Sequence, residues 1–196
     1  MRLFITIVLF TTTLFAQTTK APTNPKLKVA YFASGCFWCV EAIYESVSGV
    51  EEAISGYAGS TVKNPTYRTI KKTGHAETVA VYYNPKLISY AALIDVFYAS
   101  QDPTTVGQNP DFGHNYRSII FYNNTDEREI AKAKFTDINT RYQGKAVTEI
   151  QQIDKFYPAE DYHQDFEKRN PDNSYIKAVS IPRLKRFQEN YKNTKH

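Results

Sequence analysis

The stretch Leu27-Lys28-Val29-Ala30-Tyr31-Phe32-Ala33-Ser34-Gly35-Cys36-Phe37-Trp38-Cys39-Val40-Glu41 holds both cysteines and the only tryptophan of the chain. Leu27, Val29 and Tyr31 alternate with Lys28, Ala30 and Phe32, which predicts a β-strand over 27–33. Ser34 and Gly35 then supply turn and capping chemistry before a helical pattern. This order places Cys36 in the first helical turn. Unpaired backbone N–H groups and the positive end of the helix dipole favour a thiolate there, so a lowered thiol pKa is expected. Cys39 follows one turn later on the same face, within reach of a disulfide.

Around this unit, 196 residues with 42% hydrophobic and 22% charged side chains suit one globular domain with a well-filled core. The 15 Tyr and 12 Phe argue against disorder. The net charge of +4 is scattered, apart from some basic residues near the C-terminus, and no nucleic-acid role is expected. A monomer is the expected state.

Residues 1–16 read as an export signal, with Arg2 as the positive n-region, an apolar run broken only by threonines, and a cut after Ala16. The run is shorter than the roughly 20 residues a membrane span needs. Leu14 stands where a small residue is usual before the cut, so an uncleaved membrane anchor is the alternative to a periplasmic or secreted protein. Residues 17–26, with Thr and Pro, read as a tether, 27–191 as the domain and 192–196 as a tail.

Further along, 52–57 and 78–83 read as strands separated by a polar loop with Tyr57, Gly59, Pro65 and Tyr67. Ser89 caps a helix whose Tyr90, Leu93, Ile94 and Phe97 form one apolar face. Residues 101–116 form a long irregular loop, a length that usually marks function. A strand over 117–122, a helix from the Asp126/Glu129 capping box to about Tyr142, a strand over 147–153, a helix over 159–168 and a short terminal helix opened by Pro182 complete the order. The expected fold is α+β, a single-domain two-layer α/β sandwich with a mixed sheet and long irregular loops.

Cys36-x-x-Cys39 alone fits a structural disulfide, half of a zinc site, or a redox pair. Export makes the structural disulfide the default, yet a disulfide closing so small a loop constrains little of the unfolded chain. His75, His114, His163 and His196 lack the close paired spacing of zinc ligands. The redox pair fits best, with no metal expected.

Five further observations come in order: Gly35-Cys36-Phe37-Trp38, Ser55-Gly56-Tyr57-Ala58-Gly59, Thr73-Gly74-His75-Ala76-Glu77-Thr78, Asp111-Phe112-Gly113-His114-Asn115-Tyr116-Arg117-Ser118, and Phe156-Tyr157-Pro158-Ala159-Glu160-Asp161-Tyr162-His163-Gln164. Together they resemble the motifs of the A-type peptide methionine sulfoxide reductases, enzymes that reverse methionine oxidation one sulfoxide epimer at a time. The resemblance covers about 28–191. It departs at Cys39, where the family often has Gly, at 107–110, which spell Gly-Gln-Asn-Pro, and at Tyr175-Ile176, near which many members carry resolving cysteines.

The resemblance implies thiol-dependent reduction of free and peptide-bound methionine-S-sulfoxide, with Cys36 as nucleophile. Glu77 is the expected proton donor, since a carboxyl in an aromatic-lined pocket has its pKa raised by desolvation. Its bland reading is an exposed acid leading a strand. Tyr57 and Tyr116 are implied donors to the sulfoxide oxygen, and Asp111 an orienting acid, against readings as core tyrosines and a loop-capping Asx turn. Phe37 and Trp38 form an expected apolar cage for the methyl group. Cys39 is the candidate resolving thiol, and a thioredoxin-like protein the expected external reductant, with no bound cofactor. His75, His114 and His163 are expected to serve as hydrogen-bonding residues without a chemical step. An exported thioredoxin-like oxidoreductase and a zinc-bound or disulfide-stapled binding domain are the alternatives.

Overall fold

The structure, a computed structural model, describes residues 21–192. The export-signal reading of 1–16, the first part of the tether and residues 193–196 of the tail lie outside the described residues. Strand β1 (Lys28–Ala33) runs into a turn at Gly35 and then into helix α1 (Phe37–Glu45). Gly35 has φ +85°, a left-handed conformation that costs glycine nothing. A Cβ there would also press to 3.1 Å from the Gln108 side chain.

Next come β2 (Val50–Ala58), α2 (Ile70–Thr73), β3 (Ala76–Tyr83) and α3 (Tyr90–Ala99). Ser89 caps α3 as expected, its Oγ accepting from Ala92 N–H at 3.1 Å. The long loop after α3 carries a small hairpin of β4 (Gly107–Gln108) and β5 (Asp111–Phe112), then a 3-10 turn over His114–Tyr116. Strand β6 (Ile119–Tyr122), helix α4 (Thr125–Arg141) and strand β7 (Glu149–Gln152) follow. The chain closes with β8 (Tyr157–Pro158), α5 (Phe166–Arg169), a π-helical turn over Ile176–Ser180 and α6 (Ile181–Asn190).

Two local expectations are corrected. The cap of α4 is Asn124, whose Oδ1 accepts from Glu127 N–H at 3.0 Å, rather than Asp126. The expected helix over 159–168 is broken into a 3-10 turn (Asp161–His163) and α5, with Asp165 at φ +50° between them. Tertiary hydrogen bonds outcompete helix propensity here. Gln164 Nε2 donates to Ser55 O at 2.9 Å and its Oε1 accepts from Ser55 N–H at 3.0 Å, while Glu41 Oε1 accepts from Asp165 N–H at 2.6 Å.

The main sheet has the order β7-β6-β1-β3-β2-β8, antiparallel except for the parallel β6/β7 pair, so it is mixed as expected. Phe32, Tyr57, Val79, Val81 and Ile120 share one core with Phe37, Val40, Ile43 and Tyr44 of α1, Leu93 and Phe97 of α3, and Phe187 of α6. A small cluster of Ala33, Ala58, Ala76, Ile119 and Phe121 lies apart from it, with Tyr31, Ile153 and Phe156 against it. This separation follows from the period-2 alternation of strands. Gly56 is required where β2 meets β8, because a Cβ would fall 2.3 Å from the Phe156 ring.

Glu41 ties the two layers together. It is 2% exposed and accepts hydrogen bonds from Ser55 N–H at 3.1 Å, from Ser55 Oγ and from Asp165 N–H. Burial pushes its pKa up to about 8. Since the folded pKa is raised above its unfolded value of about 4.5, its contribution to stability is present below that value and lost as pH rises through about 8. Glu41→Ala should lower stability by about 2–4 kcal/mol, because it leaves buried donors unpaired. Glu41→Gln should keep much of the stability and flatten the decline at alkaline pH. A Glu41→Gln denaturant midpoint that falls with pH as steeply as the parent's would contradict this.

Candidate active site

Cys36 sits at the N-cap of α1 (φ −58°, ψ 123°) rather than within its first turn. It is buried at 7% exposure, and Cys39 at 1%; both thiols are free. The expected lowering of the Cys36 pKa is corrected: burial, then the hydrogen bond with Cys39, push this thiol up. A helix terminus favours charge only weakly against full desolvation. Cys39 is shifted the other way: its closeness to Cys36 lowers its pKa against burial, with help from Arg183, Ser180 and Tyr175.

Glu77 reaches this thiol from the next layer. Strand register pairs it directly with Tyr57 on the neighbouring strand. Its Oε2 accepts the Phe37 N–H at 3.0 Å, which fixes the carboxyl beside the residue that follows Cys36. It is 2% exposed, and burial raises its pKa to about 8 despite that hydrogen bond, with Asp111 and Cys39 adding to the rise. With its pKa raised to about 8, the Glu77 carboxyl holds its proton at neutral pH.

The remaining expected residues converge on the same place. The turn at Gly35 is tied to the 3-10 turn by a bond from Gly35 N–H to Tyr116 O at 3.1 Å. Tyr116 feels the fields of Glu77, Tyr67, Asp111 and Cys36, and burial leads in raising its pKa. Asp111 accepts a hydrogen bond from Tyr175 OH, which also lies 3.7 Å from Cys39 Sγ. Phe37 and Trp38 stand among Tyr57, Tyr67, His163, Phe166 and Tyr175. Tyr57 is placed at the site, but its hydroxyl hydrogen is committed to Glu160 Oε2 at 2.7 Å.

Sequence reasoning named no role for Tyr67, Glu160, Tyr175 or Arg183. Glu160 accepts from Tyr57 OH and from Tyr67 N–H at 3.1 Å, so it orients the Tyr57 hydroxyl and fixes the Tyr67 backbone. His163, expected to serve only as a hydrogen-bonding residue, accepts the Trp38 indole N–H on Nδ1 at 3.2 Å. Burial lowers its pKa to about 4, keeping the ring neutral and able to accept. Glu160 and His163 were signalled by their place in the fifth motif, whereas no local pattern pointed to Tyr175 or Arg183. His75, likewise expected to hydrogen-bond, is buried, with its Nδ1 2.9 Å from Thr73 Oγ1. A buried acid beside a paired thiol, roofed by aromatic rings, can deliver a proton to a group under attack by sulfur.

Comparison with known proteins identifies the family. Residues 28–196 match the family profile described as peptide methionine sulfoxide reductase. The chain is 42% identical over 179 residues to peptide methionine sulfoxide reductase MsrA 1 of Rhodopirellula baltica, covering 90% of this chain and 93% of that one. Its fold is similar to reduced Mxr1 of Saccharomyces cerevisiae, with a TM-score of 0.70 and 32% identity over 76% of this chain and 90% of that one. It is also similar to Mxr1 in its complex with Trx2, with a TM-score of 0.55 and 29% identity over 76% and 91% of the two chains. The family match over 28–196, the 42% identity to MsrA 1 and the similarity of fold to Mxr1 show that the chain belongs to the peptide methionine sulfoxide reductase family and is a reductase of the MsrA type.

Proposed function

We propose that this reductase acts on the S epimer of free and peptide-bound methionine sulfoxide, through a Cys36 sulfenic acid that Cys39 resolves as a disulfide. The observation that carries this reading is the position of Cys36 at the N-cap of α1, next to the residue whose N–H holds the buried Glu77 carboxyl and one turn before the buried Cys39. Burial holds the Cys36 thiol protonated at rest, so the attacking thiolate forms as its proton passes to the neighbouring Cys39. The sulfur attacks the sulfoxide sulfur, and Glu77 protonates the oxygen, turning it into a leaving group. Its Oε2 is engaged by Phe37 N–H, which leaves the other oxygen to carry the proton. Phe37 and Trp38 hold the methyl, Tyr116 donates to the oxygen, Tyr57 is oriented by Glu160, and Asp111 acts through Tyr175.

Water then adds its oxygen to the Cys36 sulfur as the bond between the two sulfurs breaks, so methionine leaves with the bonding electron pair and Cys36 is left as the sulfenic acid, which condenses with Cys39 to a disulfide and water. A thioredoxin-like dithiol then reduces the pair, as the Trx2 complex of the related Mxr1 supports. The apolar segment 1–16 supports export, and the donor is then a thioredoxin-like protein of an oxidising compartment.

Turnover of the separated epimers with a chemical dithiol tests the reading: activity on S alone is expected, and equal rates on both or activity on R alone would overturn it. Cys39→Ser should release one methionine per enzyme, stop at the sulfenic acid and lose recycling by thioredoxin. Undiminished multiple turnover with thioredoxin would remove Cys39 from the cycle.

A further inference from the structure

Arg183 is a buried charge with no part in the chemistry above. It enters from α6, is 8% exposed, and donates through Nε to Ser100 O at 2.9 Å and through Nη2 to Ser34 O at 3.0 Å. A buried guanidinium that meets only neutral acceptors loses hydration without gaining a counter-charge. The salt bridges among the described residues join other side chains. Asp102, which lines the same adjoining cleft, is held by Thr104 N–H at 2.9 Å and Thr104 Oγ1 at 2.6 Å.

Its location is specific. Ser34 lies two residues before Cys36, and a Cβ on Gly35 would stand 3.5 Å from Arg183 Nη1, so the positive charge is held against the turn that delivers α1. Around Cys39 stand Cys36 at the N-cap and the Tyr175 hydroxyl at 3.7 Å, with Asp111 reached through Tyr175, while Ser180 and the charged groups Glu77 from β3 and Arg183 from α6 add to its electrostatics. Of these, Arg183 alone is a permanent cation. Glu77, neutral below about pH 8, does not oppose it near neutrality.

We propose that Arg183 is a positioning residue of the resolving step, its guanidinium serving as the fixed counter-charge that holds Cys39 as the thiolate attacking oxidised Cys36. The inference rests on the reading that these two cysteines close a disulfide. In that step Cys39 sulfur donates an electron pair to Cys36 sulfur, and the S–S bond forms as the S–O bond breaks. The oxygen leaves as hydroxide and takes a proton to become water; Cys36 is reduced from the sulfenic level as Cys39 is oxidised. Arg183 transfers neither electron nor proton and sets only how much of Cys39 is ionised. The electrostatics agree, since Arg183 is among the groups that lower the Cys39 pKa.

The test has two arms. In a Cys36→Ser background, ultraviolet absorbance follows ionisation of Cys39, which should titrate below the ordinary thiol range. Adding Arg183→Gln should move that titration upward, and Arg183→Lys in its place should restore it. In otherwise unaltered enzyme given one equivalent of methionine sulfoxide, quenched thiol counts follow disulfide closure. Arg183→Gln should slow closure by about tenfold near neutral pH, as expected when an attacking thiol becomes largely protonated. Arg183→Lys should close at nearly the parent rate.

An anchor for the Ser34 and Ser100 carbonyls, and nothing more, would lower the melting temperature in both variants without moving the Cys39 titration, and that result overturns the proposal. So does a rate of disulfide closure in the parent enzyme that keeps rising with pH through the ordinary thiol range, as it would if Cys39 were un-ionised at neutrality, a measurement that needs no arginine variant to fold. If the parent enzyme consumes its equivalent without losing two thiols, the disulfide reading itself is wrong and the inference falls with it. That outcome is distinct from a normal disulfide whose rate ignores Arg183.

Discussion

Cys36→Ser is expected to reduce methionine formation to the level of the added chemical dithiol alone, while the protein stays folded. A hydroxyl at this buried position cannot form the sulfur–sulfur bond to substrate or carry the sulfenic oxygen, so the covalent path closes. The fold should tolerate the change because the residue is the N-cap of α1, a position where serine is favoured. The variant also decides between the two thiols. Cys39 is the more readily ionised, so thiolate population alone would name it as nucleophile. Position argues the other way: Cys36 immediately precedes Phe37, whose N–H holds the Glu77 carboxyl, and Cys39 lies a turn deeper. Methionine formation in Cys36→Ser well above the dithiol background, with Cys39 oxidised, would transfer the nucleophile's role to Cys39.

Glu77→Gln should slow the substrate-reducing step by roughly 10²–10⁴, the usual worth of general acid catalysis. Glutamine keeps an acceptor for Phe37 N–H, so structure is preserved while the acidic proton is lost. The pH profile supplies an independent check. With its pKa raised to about 8 by burial, Glu77 carries its proton at neutral pH and loses it as pH rises through that value. The single-turnover rate of the parent enzyme should therefore fall above about pH 8, and the glutamine variant should lack that limb. A near-normal rate for Glu77→Gln at neutral pH, or an alkaline limb that persists in it, would show that another group donates the proton.

The sequence by itself determined the frame of this protein. The alternation over 27–33, the Ser34-Gly35 turn and the helical pattern after it are local rules, and the structure has β1, the left-handed Gly35 and α1 in that order. Ser89 capping and the strand expected over 78–83 were equally local, although β3 begins at Ala76 and takes in Glu77. The motif order brought Cys36, Glu77, Asp111 and Tyr116 into one account because a shared fold places such segments together.

What tertiary structure alone decided was environment. The helix terminus beside Cys36 is visible in sequence, but the desolvation that outweighs it depends on packing between sheet and helices. The helical period over 159–168 is real, yet Gln164 and Asp165 are taken by Ser55 and Glu41, more than a hundred positions away. Tyr175 and Arg183 carry no local signal of a role, because a hydroxyl or a guanidinium acquires one only from what folding sets beside it: Asp111 and Cys39 for the first, the turn before Cys36 for the second. Backbone geometry is written in short-range steric and capping preferences, whereas pKa and partnership depend on burial and on charges brought together by long-range folding.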